Sequence, residues 1–136
     1  MLSRLVLTQQ HLNGMIRHAA RQAPLEACGL LAGRAGRVER LLAMENAERS
    51  PARFRMDPLE QLRAFEWIEE RGLHLLGIFH SHPAGPEAVS PTDIAEASYA
   101  VVHIVVSRPR EDGSEWQARG FWIEPGRVTE VALIVE

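Results

Sequence analysis

The chain has 136 residues, 46% of them hydrophobic and 24% charged, with a net charge of -3 and a single cysteine. That length and balance predict one soluble globular domain spanning residues 1–136 with a sizeable core. The charge gives no electrostatic case for nucleic acid, the apolar patch at Met1 to Thr8 is far too short for a signal peptide or membrane span, and a lone cysteine forms no internal disulfide, so a cytoplasmic setting is expected.

In chain order, Leu5-Val6-Leu7 predicts a short strand, and Thr8 caps a helix whose apolar side carries Leu12, Met15, Ile16 and Ala19, with Pro24 beyond its end. Ala27 to Ala32 and Val38 to Met44 predict a hairpin around Gly33-Arg34-Ala35-Gly36, whose glycines can take the positive φ of a tight turn. Cys28 sits in Cys28-Gly29-Leu30-Leu31, where a small buried core residue is the better reading than a nucleophile. Asn46 to Asp57 reads as irregular. Pro58 then opens a helix bearing Leu59, Leu62, Phe65, Trp67 and Ile68, ended by Gly72.

Leu73-His74-Leu75-Leu76-Gly77-Ile78-Phe79 is apolar and rich in strand formers, which puts His80 and His82 at the end of a buried strand. Residues two apart on a strand share a face, so both imidazoles can point at one ion; on a helix the same pair would diverge. Pro83 ends the strand, and Ala84 to Val89 reads as a loop. Ser90-Pro91-Thr92-Asp93 opens a helix through Ile94, Ala97 and Ser98, with Ser90 as N-cap, Pro91 at the first helical position and Asp93 in a capping-box place. Alone, that tetrad is ordinary capping. Beside His80-Ser81-His82 it supplies a carboxylate, and His80, His82 and Asp93 make the three-ligand set of a catalytic zinc site that leaves a fourth position to water. The general base such a site needs is a non-ligand Glu, and composition and spacing do not choose among the glutamates.

Val101 to Ser107 predicts a strand in which His103 reads as an interior histidine, and His11, His18 and His74 have no metal spacing. Glu115 to Ile123 and Arg127 to Val135 predict two further strands joined at Glu124-Pro125-Gly126. Trp67, Trp116 and Trp122 read as core or surface-contact residues. The whole is an α/β sheet domain with helices packed on it.

His80-Ser81-His82-Pro83, six residues, Ser90, two residues and Asp93 resemble the signature of the JAMM (MPN-plus) zinc metallopeptidases, in their compact prokaryotic form. Pro24 to Gly33 resembles the family segment in which a Glu precedes Cys-Gly and an apolar strand, and Asn46, Phe54 and Asp57-Pro58 match weaker positions. The resemblance implies an α+β fold of the JAMM/cytidine-deaminase-like kind, a curved and mostly antiparallel sheet flanked by helices. It implies Zn2+ on His80, His82 and Asp93, Glu26 as catalytic acid/base, and Ser90 as hydrogen-bond donor to the oxyanion. It implies as substrate an amide or isopeptide bond at the C-terminal tail of a ubiquitin-like, sulfur-carrier-type protein, with the extended tail adding as a strand beside the site. Short connections before the second helix and at Arg108 to Ser114 argue against chain-linkage-specific deubiquitination. A non-catalytic MPN-type scaffold and a zinc amidohydrolase acting on a small molecule stay open as alternatives. A zinc deaminase does not, because its Pro-Cys-x-x-Cys pair needs more than one cysteine.

Overall fold

The computed structural model describes residues 1–108 and 115–136; the connection at 109–114 lies outside the described residues. In chain order the elements are β1 (Arg4–Leu7), α1 (Gln9–Gln22), β2 (Cys28–Arg34), β3 (Arg37–Met44), α2 (Pro58–Glu70), β4 (His74–His82), α3 (Pro91–Glu96), β5 (Val102–Ser107), β6 (Gln117–Glu124) and β7 (Arg127–Val135). Hydrogen bonding runs in the order β1, β3, β2, β4, β5, β6, β7. The pairs β2/β3, β2/β4, β5/β6 and β6/β7 are antiparallel, whereas β4/β5, β1/β7 and β1/β3 are parallel.

The mostly antiparallel, curved sheet with flanking helices is thus present, and it curves further than the sequence suggested. β1 pairs residue for residue with Ala132–Val135 of β7 and touches β3 through Val6 and Arg37, so the sheet closes into a barrel. Val6 donates from its backbone N to Gly36 O at 2.9 Å to complete the seam. β4 itself has β2 on one side and β5 on the other, so both of its edges are paired.

Alternation along the strands sorts side chains into two cores. Leu31, Phe79, Val102, Ile104 and Val106 pack with Met15 and Ala19 of α1 in the first. Cys28, Leu30, Ala32 and Ile78 pack with Ile68 of α2 and with Met56 in the second. His80 and His82 follow Ile78 at steps of two and so emerge on the face that α2 covers. Trp116 and Trp122 pack against the first core and Trp67 against the second.

Two expectations need correction, and α2 adds a detail. In the β2–β3 turn the positive φ angles belong to Ala35 (51°) and Gly36 (72°), while Gly33 stays in the strand, where a Cβ would lie 1.9 Å from Arg37 O. α3 ends at Glu96, because Ala97 turns extended at ψ 119°, and with no buried side chain it has no apolar face to prolong it. On α2, Leu59 and Leu62 point to solvent at 55% and 53% exposure; only Ile68 of that helix is fully buried. Among the described residues, no helix is long and apolar enough to cross a membrane.

Candidate active site

His80 and His82 end β4, are 1% and 4% exposed, and bring their Nε2 atoms to 3.1 Å from one another. Asp93 Oδ2 lies 3.0 Å from His80 Nε2 and 3.1 Å from His82 Nε2, closing a triangle of three donor atoms. Donors held at about 2.0–2.1 Å from a tetrahedral ion stand roughly 3.3–3.4 Å apart, so these three atoms, a few tenths of an ångström closer, need only widen slightly to share a cation. The chemistry agrees. His82 Nδ1 is 2.8 Å from Pro86 O, and since a carbonyl only accepts, Nδ1 donates and a neutral His82 carries its lone pair at Nε2, toward the other two donors.

Asp93 reaches the triangle by way of helix capping. Ser90 Oγ accepts from Asp93 N at 3.1 Å, and Asp93 Oδ2 accepts from Ser90 N at 2.8 Å, which is the expected capping box. One carboxylate oxygen therefore serves the cap and the cluster together. Burial pushes the Asp93 carboxyl upward, yet the His80 and His82 rings against it and the Ser90 N–H it accepts outweigh this and hold the group well below the usual carboxylate range. Burial pushes His80 down, which keeps its imidazole in the neutral, ligating form.

Glu26 comes from the loop before β2 and is 3% exposed. Its carboxylate joins His80, His82 and Asp93 in a group whose donor atoms all lie within 4.8 Å of one another, although 54 positions separate it from His80. The loop is pinned from several sides. Ser81, between the two histidines, accepts from Ala27 N at its Oγ (2.7 Å) and donates from its own N to Ala27 O (2.9 Å). Asn46 Nδ2 donates to Glu26 O at 3.0 Å, and Glu26 N donates to Ser50 O at 2.8 Å. Glu26 Oε1 has no hydrogen-bond partner, and burial raises the carboxyl to about 7, a value suited to taking up a proton and giving it back near neutrality.

The structure brings Glu26, His80, His82, Ser90 and Asp93 to one place, and the other candidates stand outside the donor group, His103 only lining the space beside it. Cys28 is fully buried with its thiol pushed up to about 12, mainly by burial, as befits a packing residue. His103 is an interior histidine, 3.4 Å from Tyr99 O through Nε2. His18 spans Cys28 O and Met44 O, and His11 completes the capping box of α1. Sequence reasoning passed over Ser81 and the Pro86 carbonyl; the position of Ser81 between two ligand candidates was the one available signal. Phe54, noted only as a weak match, stacks on His80 with ring centres 4.6 Å apart.

The family described as prokaryotic homologs of the JAB domain matches residues 8–119. The chain belongs to this family. The prokaryotic JAB domain is thus the JAMM/MPN-type domain that the motif spacing suggested. The chain is 42% identical over 119 residues to a probable TtuB-protein conjugate cleaving protease of Thermus thermophilus, covering 87% of this chain and 74% of the relative. It is 40% identical over 128 residues to the CysO-cysteine peptidase of Mycobacterium tuberculosis, covering 93% and 87%. A solution structure of a protein from Desulfitobacterium hafniense superposes with a TM-score of 0.86 at 34% identity over 97% of this chain and 92% of that one. The JAB domain here therefore carries a possible metal-binding group within a fold shared along nearly its whole length.

Proposed function

We propose that this JAB-domain protein is a zinc metallopeptidase that hydrolyses the amide bond at the C-terminal tail of a ubiquitin-like protein of the sulfur-carrier kind. The observation that carries the reading is the convergence of three buried donor atoms, His80 Nε2, His82 Nε2 and Asp93 Oδ2, with an unpartnered Glu26 oxygen beside them. The names of the relatives, a conjugate-cleaving protease and a carrier–cysteine peptidase, support the substrate class. A cytoplasmic setting and one domain over residues 1–136 belong to the same reading.

The donor set of two imidazoles and a carboxylate fits Zn2+, which when bound polarises a carbonyl and brings the pKa of water toward ~7. Glu26 takes a proton from the attacking water at Oε1 and returns it to the nitrogen of the breaking C–N bond, a shuttle that its raised pKa favours. Ser90 keeps its hydroxyl proton for the developing oxyanion, because the cap uses its oxygen only as an acceptor. His82 is oriented by Pro86, and Ser81 holds Glu26 in reach of the cluster.

The test is metal analysis beside hydrolysis. Untagged protein should contain about one zinc per chain, lost in His80→Ala/His82→Ala, and should release the adduct from a carrier–cysteine conjugate. Glu26→Gln should retain zinc and lose at least ~100-fold in kcat, the lower end for a general acid/base. Zinc absent even after adding it back would bring the scaffold reading forward, and turnover of small amides alone would favour the amidohydrolase.

A further inference from the structure

A cavity of about 460 Å3 opens directly against the cluster, with His80 and Asp93 in its wall. Its volume is that of a small-molecule site, too small for any folded domain. Ile78, Met56 and His103, all buried, form part of its lining. Two links tie the walls together across it, an ion pair from Arg53 to Glu96 and a hydrogen bond from Gln61 to Tyr99 Oη at 3.0 Å. A cavity of this size beside the cluster accommodates the small end of a chain.

The charged groups say which end. Arg53 and Arg55 both line the cavity, two residues apart, and Phe54 between them stacks on His80. Arg53 is partnered by Glu96, whereas none of the ion pairs among the described residues involves Arg55. Glu48 and Glu96 also line the cavity, so an anion entering it pairs with Arg55 and competes with Glu96 for Arg53. A planar guanidinium fork matches a carboxylate in a way a lysine does not.

We infer that this cavity is the leaving-group site and that it selects an amino acid or short peptide with a free α-carboxylate, gripped by Arg55 and Arg53. The inference rests on the proposed peptidase activity, for which it names the specificity-determining residues. Hydrolysis stays as described: water adds to the acyl carbon, the C–N bond breaks and the nitrogen leaves with the proton. What changes is the range of conjugates, since a lysine side-chain isopeptide presents no carboxylate at the corresponding position.

Zinc-loaded protein is given two forms of one ubiquitin-like sulfur carrier, one ending in amide-linked cysteine and one in cysteinamide. The carboxylate form should be hydrolysed with a kcat/KM roughly tenfold or more higher, expressed mainly in KM. Arg55→Ala and Arg53→Ala/Arg55→Ala should bring the ratio close to one by raising KM for the carboxylate form, and Arg55→Lys should restore part of it. Equal rates for the two forms in the unaltered protein would overturn the carboxylate site while leaving the peptidase reading intact. Variants that slow both forms alike would overturn it too, by putting the carrier's tail in the cavity. Hydrolysis of neither form would overturn the peptidase reading itself, and this inference with it.

Discussion

Ser81 shows how much of the candidate site depends on a side chain with no chemistry of its own to perform. Its hydroxyl accepts from Ala27 N at 2.7 Å and so fixes the backbone of the residue after Glu26. Ser81→Ala leaves a buried N–H unpaired, at a cost of about 1–3 kcal/mol, and frees the Glu26 carboxylate to drift. Zinc content should be unchanged while kcat/KM falls roughly tenfold or more, since misplaced catalytic groups lose rate steeply. An unaltered kcat/KM would mean that Asn46 and Ser50 suffice to hold the loop. His80, His82 and Asp93 were legible in the sequence because strand period and capping grammar act within fourteen positions. Glu26 was legible only through family resemblance, and the role of Ser81 was hinted at only by its place between two histidines, because its partner is 54 residues away and only the β2–β4 pairing brings the two together.

Among the elements, α1 is closed by a capping box in which a histidine takes the place usually held by Glu or Gln. His11 Nδ1 accepts from Thr8 N at 3.1 Å, which it does only when unprotonated. Burial, the largest cause, with Arg40 adding to it, holds the His11 pKa below 6.5 against a raising contribution from the Glu39 carbonyl. The folded state therefore binds the proton less well than the unfolded chain. The contribution of His11 is complete above pH 6.5 and is lost as the pH falls below it. Gln in its place completes the box without titrating, so between pH 7.5 and 5.5 the melting temperature of His11→Gln should fall less than that of the unaltered protein. Parallel falls would show that the histidine cap carries no pH dependence. The start of α1 was legible from Thr8, and the end of α3 was not. Ala97 and Ser98 continue an apolar period on paper, but the period presumes a face to bury, and α3 has none. Likewise Leu59 and Leu62 look like core positions by spacing, yet they lie on the side of α2 turned away from Ile68.

For the whole molecule, the closure of the sheet through β1 is what local patterning could not reveal. Every strand was found to within a few residues, but Arg4–Leu7 meeting Ala132–Val135 is a contact between distant segments with no signature in either. The barrel gives the cluster a rigid half, β4, flanked on both sides. A cation bound there stabilises the folded state by linkage, about 2.7 kcal/mol at a hundredfold excess over Kd. Chelation should then lower the melting temperature by roughly 6–14 °C at a few degrees per kcal/mol, an effect that Asp93→Ala should abolish. Calorimetry with and without a chelator decides it; coincident melting curves would exclude a specific cation.

The oxygen shared between the α3 cap and the cluster sets a timescale as well as a geometry. α3 is six residues long and contributes no residue to either hydrophobic core, so its first turn can open without disturbing them. Each such opening takes Asp93 away and leaves the two histidines in place on β4. Metal would therefore enter and leave through a two-ligand intermediate, at the pace of one fraying helical turn rather than of global unfolding. The residence time of a cation bound there would then depend on Ser90 and Pro91, the residues that open that turn.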